Sequence, residues 1–375
     1  MGKIKPRKTG IDDVGFKRTD KALEDLESRL SSLYTKSGKE MEQKLGKYMK
    51  QFEAMDKKKL QMVADGLMSE AEYKSWREGQ MFMSAKTQAQ IDSIAEDLMR
   101  TDVLADEMIN GTLPSIYASN YNFEVFKAET MCEVNGIEFK TNPSFTIYNA
   151  DAVSSLAQGK TDILPAFSKE SLDKLEKKVN IPKDLQWNRE KVSSALQQGI
   201  VQGDSIDDIA KRLRDVTSMD YEASVRNART GVIGAQNSGR SDASDRMKEA
   251  GNDVVDVWSC TYDGRTRDTH LALDGQERGE DGYFTTYNGD KLEYPCDPSG
   301  DPSEVYNCRC RLNTIIRGID HSKDEDLYDK FMQENFYDDW LEQKERESEK
   351  YSNAYVKNLE KDYAKDRSKE MKKKY

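Results

Sequence analysis

The chain holds 375 residues, 36% of them hydrophobic and 34% charged, with a formal net charge of −11. That length permits two or three domains, while a mean hydropathy of −0.88 and a pI near 5.1 exclude a molecule-wide basic surface for nucleic acid. No apolar run is long enough for a membrane span, the basic start Met1–Lys8 lacks the apolar stretch of a secretory signal, and an odd count of five cysteines favours reduced thiols over disulfides.

Residues 1–20 read as a flexible basic arm. Its Lys3, Lys5, Arg7 and Lys8, with Lys372, Lys373 and Lys374 at the other end, are candidates for non-specific phosphate contact, weighed equally against solvated termini. From Lys21 the pattern is helical. Leu23, Leu26, Leu30, Leu33, Met41, Leu45, Tyr48, Phe52 and Met55 recur mostly at spacings of three and four, the seam of an amphipathic helix. Gly38 is expected to divide this run into two helices in line, with a turn at Asp65-Gly66. Ser69 and Glu72 then form a capping box. So much charge around one narrow seam predicts an arm or hairpin whose apolar stripe awaits a partner.

A further helix is expected over Lys86 to Met108, ended by Asn110-Gly111-Thr112-Leu113-Pro114. Aromatic residues follow at Tyr117, Tyr121, Phe123 and Phe126, and the stretch from Glu133 to Asn149 suits a short hairpin centred on Asn135-Gly136. Asn188 to Gln198 reads as helix. Ser205 starts another, with Ile206, Ile209, Ala210 and Leu213 on one face, and Asp220 is expected to cap the next. That helix carries Ala223, Val225, Ala228, Val232 and Ala235 and runs to Gly251, a fitting C-terminal glycine. Its small residues predict close approach to another element.

From Asp253 the pattern turns to strands and turns. Val254 to Trp258 is strand-like, Thr266 to Leu273 a short helix stopped by Gly275, and Tyr283-Phe284 and Lys291 to Tyr294 short strands around Asn288-Gly289. Arg309 to Ile316 alternates, with Leu312, Thr314 and Ile316 on one side. Beyond His321 helix returns, with Phe331, Phe336, Trp340 and Leu341, before a charge-dense tail from Lys361.

The segment from Trp258 to Cys310 concentrates the chemistry: one of two histidines and four of five cysteines. Cys308-x-Cys310 offers two thiolates from one turn, His270 a third donor, and Cys260 or Cys296 a fourth, so zinc is conceivable. Thiol packing, with the cysteines as small buried apolar residues, is the favoured reading, and no cofactor is expected. Asp263, Arg265, Arg267, His270 and Asp274 alternate in charge. As a catalytic centre they would use His270 as base, oriented by Asp274 or Asp263. As a scaffold, the arginines would bridge carboxylates and backbone carbonyls of irregular loops, and this reading is preferred. No phosphate-binding loop, nucleophile elbow or His-Glu-x-x-His helix is present, so no catalytic residue is assigned.

The same segment resembles the phage Mu F-like minor head (head morphogenesis) proteins. The resemblance rests on Ala228-Arg229-Thr230, Gln236-Asn237-x-Gly239-Arg240, Gly251, Trp258, Asp263-x-Arg265-Thr266-Arg267 with His270, Leu273-Asp274-Gly275, the Pro295 turn, and Asn307-Cys308-Arg309-Cys310. Gly199 to Ile206 and Ile109 to Tyr117 extend it forward. Cys296 stands where such proteins commonly have glycine, and some carry Cys-x-x-Cys at the places of Arg267 and His270.

The resemblance implies a low-copy capsid protein of a tailed phage, assembled in the bacterial cytoplasm and held inside the virion near the portal vertex. Its implied partners are the portal protein, the major capsid or scaffolding protein, and packaged double-stranded DNA bound non-specifically, with a part in DNA packaging and ejection. The alternatives are a zinc-stabilised DNA-binding module and a Mu F-linked enzyme or toxin. The expected fold is α+β and predominantly helical: a basic arm at 1–20, a helical arm at 21–115, a mostly helical middle at 116–215, a Mu F-like domain at 216–320, and a helical, partly disordered tail at 321–375.

Overall fold

A computed structural model describes residues 12–82, 85–140, 191–192, 194, 206–319, 337, 339 and 340. The basic tips, the tail and the middle stretch around Asn149 to Asp162 lie outside them. The fold is α+β and predominantly helical. Among the described residues four helices come first: α1 (Asp12–Ala64), α2 (Glu70–Phe82), α3 (Ala85–Val134) and α4 (Ile206–Glu249). Then β1 (Val254–Ser259), α5 (Asp268–Leu273), β2 (Phe284–Thr285), β3 (Lys291–Leu292), α6 (Pro302–Val305) and β4 (Arg311–Ile316) make a small block. Among the described residues, no helix is long and apolar enough to cross a membrane.

Three expected breaks are absent. The helix α1 passes through Gly38, α3 through Asn110 to Pro114, and α4 through Asp220. Gly38 meets nothing within 4 Å, so the glycine costs helix propensity there without forcing a turn. The helices end instead on a shared device. At Gly66, Gly136 and Gly251 the backbone turns to φ 71, 65 and 89. The following amides, of Leu67, Ile137 and Asn252, bond back to the carbonyls of Met62, Cys132 and Met247. This left-handed glycine cap satisfies carbonyls that the last turn leaves open. Asn135-Gly136 is therefore a helix stop and not the turn of a hairpin. The Ser69–Glu72 capping box forms as expected, with Ser69 N donating to Glu72 at 2.8 Å and Glu72 N to Ser69 Oγ at 3.2 Å.

The described residues fall into two compact units, one within 1–22, 113–161 and 230–375, the other within 23–112 and 162–229. The second is helical. Met41, Leu45, Tyr48 and Met49 of α1 pack with Ile91, Ile94, Ala95 and Leu98 of α3, Leu213 of α4 and Val192. The α1 seam is thus covered within the chain. Only Met55 of the buried-looking stripe stands well exposed, at 39%. The expectation of an unpartnered arm is overturned, because α3 runs unbroken and supplies a matching stripe at Ile91, Ile94 and Leu98.

In the first unit, β1 and β4 pair antiparallel from Val254↔Ile316 to Ser259↔Arg311, and β2 pairs with β3. Gly289 (φ 92) turns the β2–β3 connection, and Gly275 (φ 77) follows α5, both as the sequence predicts. A core of Trp258, Leu273, Phe284, Leu292, Val305, Leu312 and four cysteines gathers against Ile233 of α4.

Candidate functional site: the cysteine–histidine block

The block is built on α4, whose stretch from Ala235 to Ser241 is buried on every face. Small residues make this possible. A Cβ on Gly239 would meet the Tyr117 carbonyl at 2.4 Å, and one on Gly234 the Cys296 carbonyl at 3.2 Å. Between these glycines sits Asn237, fully buried. Its Nδ2 donates to the carbonyls of Pro295 (2.9 Å) and Cys310 (3.0 Å), while its Oδ1 accepts from Leu312 N at 2.9 Å. One side chain so satisfies three backbone groups that no ladder reaches. Two turns earlier on α4, Thr230 Oγ1 accepts from Asn307 N at 3.1 Å, where the backbone stands at φ 56.

Held this way, the chain brings His270 of α5 onto Cys308 and Cys310. The Nδ1 atom of His270 lies 3.5 Å from Cys308 Sγ and 3.4 Å from Cys310 Sγ. All three residues are buried. On the other side of the ring, His270 Nε2 approaches Glu304 Oε2 at 2.9 Å. The approach is close but poorly aligned for a hydrogen bond, and the same oxygen accepts from Thr269 Oγ1 at 2.8 Å. Trp258 lies edge-on to the imidazole at 5.2 Å, and Phe284 lies edge-on to Trp258 at 5.3 Å. The Cys296 thiol donates to the carbonyls of Cys308 (3.3 Å) and Val305 (3.6 Å). Contact with Cys296 pushes the Cys308 thiol up, and contact with Cys308, then burial, does the same for Cys310. Cys260 turns elsewhere: its amide donates to Asp274 at 2.8 Å, and burial, then the charge of Asp274, raises its thiol to about 12.

The polar residues of the motif bond to the loops around them. Asp263 is gripped by both terminal nitrogens of Arg309 and by Arg265 N at 2.9 Å, which keeps its carboxyl well below the usual range. The Arg265 side chain is itself 76% exposed. Arg267 reaches the Tyr306 carbonyl at 2.5 Å from a partly exposed position. Asp274 accepts from Cys260 N and from the Tyr262 hydroxyl. Neither Asp263 nor Asp274 is the carboxylate beside His270, which is Glu304. Arg229 pairs with Glu27 of α1 (2.6 and 3.1 Å).

Sequence reasoning missed Arg309 and Glu304, and with them a buried ionic cluster. Arg240, fully buried, pairs with Glu124 at 2.9 Å and lies 4.1 Å over the Phe16 ring. Glu124 also pairs with Lys127, whose Nζ donates to the Thr314 carbonyl at 3.0 Å. A second cluster joins Asp256 of β1 to Lys248 (2.9 Å), Arg278 (2.8 Å) and Thr314 (2.9 Å). Arg240 stood out in advance only as a member of the motif, and tertiary contact alone shows its partner.

Long helices and a small antiparallel block with a buried histidine and paired cysteines define a predominantly helical α+β protein. Residues 190–313 match the phage Mu protein F like protein family, so the chain carries a Mu F-like segment. It is 31% identical over 159 residues to NAD(+)--arginine ADP-ribosyltransferase EFV of Enterococcus faecalis, covering 42% of this chain and 32% of that protein. It is 21% identical over 300 residues to Minor head protein GP7 of Bacillus phage SPP1, covering 79% of this chain and 87% of that protein. The chain thus spans about a third of the length of the first relative and most of the second. No solved structure matches it.

Proposed function

We propose that the protein is a minor head protein of a tailed phage, acting in head morphogenesis. The observation that carries this is the similarity that runs along 79% of the chain and 87% of the SPP1 minor head protein, with the Mu F-like match inside it. The motif residues, among them Trp258, Asp263, Asp274, Gly275 and Asn307, then serve to hold the block's shape, since in the fold they bond to backbone and to one another. The finer reading places few copies inside the head at the portal vertex. There the protein binds the portal protein and a capsid or scaffolding protein, and its basic tips touch packaged DNA without reading sequence. Co-expression with the portal protein of the same phage tests it: the two should co-purify as a stable complex and appear together in procapsids. Phage lacking the gene should assemble heads of normal size that package or eject DNA poorly. Normal heads and normal infectivity without the protein would sink the reading.

A second reading has one observation behind it, the 31% identity to part of an arginine ADP-ribosyltransferase. Incubating the purified chain with labelled NAD and an arginine-bearing acceptor decides it, and transfer above background would establish the enzyme reading.

A further inference from the structure

The imidazole Nδ1 has one lone pair in the plane of its ring, and it can accept one hydrogen bond. Yet two thiols, of Cys308 and Cys310, stand at 3.5 and 3.4 Å from this single atom. On the far side Glu304 Oε2 sits 2.9 Å from Nε2, so Nδ1 is the ring nitrogen turned to the sulfurs. Two sulfurs crowding one nitrogen, with a carboxylate behind the ring, is the disposition of ligands around a shared cation. A cation held at zinc–ligand lengths and the tetrahedral angle would set nitrogen and sulfur about 3.6 Å apart. The three ligand atoms lie within 4.8 Å of one another in a buried pocket.

We propose that His270 Nδ1, Cys308 Sγ and Cys310 Sγ bind a soft divalent metal ion, of the zinc class, and that Cys296 supplies the fourth ligand. Thiolate with imidazole selects zinc over the hard oxygen-seeking cations. Cys296 already contacts the site, its thiol donating to the Cys308 carbonyl at 3.3 Å. Its backbone stands at φ 64, a conformation that disfavours any side chain. Glu304 acts as a positioning residue, holding the imidazole so that Nδ1 faces the ion. Binding would exchange two or three thiol protons for the cation and tie α5 to the turns before and after α6. This assignment stands apart from the phage reading, since it concerns the folded block alone.

The test uses the full chain, purified under reducing conditions without chelator. About one equivalent of zinc should be retained, and cobalt(II) added to the stripped protein should give the intense visible bands of a tetrahedral site with a thiolate charge-transfer band. Cys132→Ser should leave both unchanged. Glu304→Gln should weaken binding about 10- to 100-fold. Cys296→Gly, whose backbone suits glycine, should stay folded and shift the cobalt spectrum. An unshifted spectrum removes Cys296 from the ligand set. If Cys308→Ser or Cys310→Ser fails to fold, alkylation mapping replaces them: zinc should protect both thiols and chelation should expose them. No retained metal and no cobalt spectrum in the reduced wild type would overturn the site in favour of thiol packing, as would protection confined to other cysteines.

Discussion

The helical unit and the cysteine–histidine block are held by different forces. In the helices, backbone groups satisfy one another along the chain, and the side chains are free to pack: Met41, Leu45, Ile94 and Leu98 meet as apolar stripes. The block has only short ladders, so side chains must serve the backbone. Asn237 answers three backbone groups, Asp297 accepts from Glu293 N (2.9 Å) and Ser299 N (2.8 Å), and Asp274 accepts from Cys260 N. Apolar packing responds mainly to volume, whereas a polar clamp responds to the identity of single atoms.

Substitutions can break that comparison. The largest effect is expected outside it, at the buried ion pair: Arg240→Met should cost about 3–5 kcal/mol by stripping Glu124 of a partner, and a urea melt showing under about 1 kcal/mol would refute the cluster's importance. Leu45→Ala should cost about 3 kcal/mol, yet Leu45→Met, which keeps the volume, under about 1.5. Asn237→Ala should cost about 2–3 kcal/mol. Asn237→Asp has the same shape but no donor, and should cost as much as the alanine variant. Were the aspartate variant as stable as wild type in thermal melts, the clamp would be no more than packing.

Two carboxylates sharpen the contrast through pH. In the helical unit, Asp102 accepts from the Tyr34 hydroxyl at 3.0 Å, and burial, then the charge of Asp220, raises its carboxyl to about 7. Its native proton affinity exceeds the unfolded one. Its contribution is therefore complete below about pH 4 and lost as pH rises through 7. Asp102→Asn should remove that slope and gain roughly 2 kcal/mol at pH 8. Asp263 has the opposite sign. Arg309 and the Arg265 amide depress its carboxyl, so its contribution is present above the ordinary carboxylate range and lost as pH falls. Asp263→Asn should flatten only the acid side of the stability curve, with the smallest effect of the set and one that added salt erodes.

The block was the most legible part of the chain. Its strands, the Gly275 and Gly289 turns and the Gly251 helix stop all follow from local signals, while His270 meeting Cys308 and Cys310 was one alternative among the readings of the cysteines. Short elements bounded by glycine have few alternatives, and Cys308-x-Cys310 cannot separate its own sulfurs far. The helices were misread at their joints. Gly38, Pro114 and Asp220 each carry a local preference to stop, worth about 1–3 kcal/mol at most, and continuous packing outweighs it.

What the sequence determined alone is thus the class of elements, their caps and the residue types of the site. The tertiary structure decided the rest. It covered the α1 seam with α3 and α4, assigned Arg309 to Asp263 and Glu304 to His270, and buried Arg240 against Glu124. Those pairings join residues as many as 116 positions apart, as with Glu124 and Arg240. Hydrophobic periodicity records which face of an element is buried, but a charge carries no mark of which distant partner will meet it.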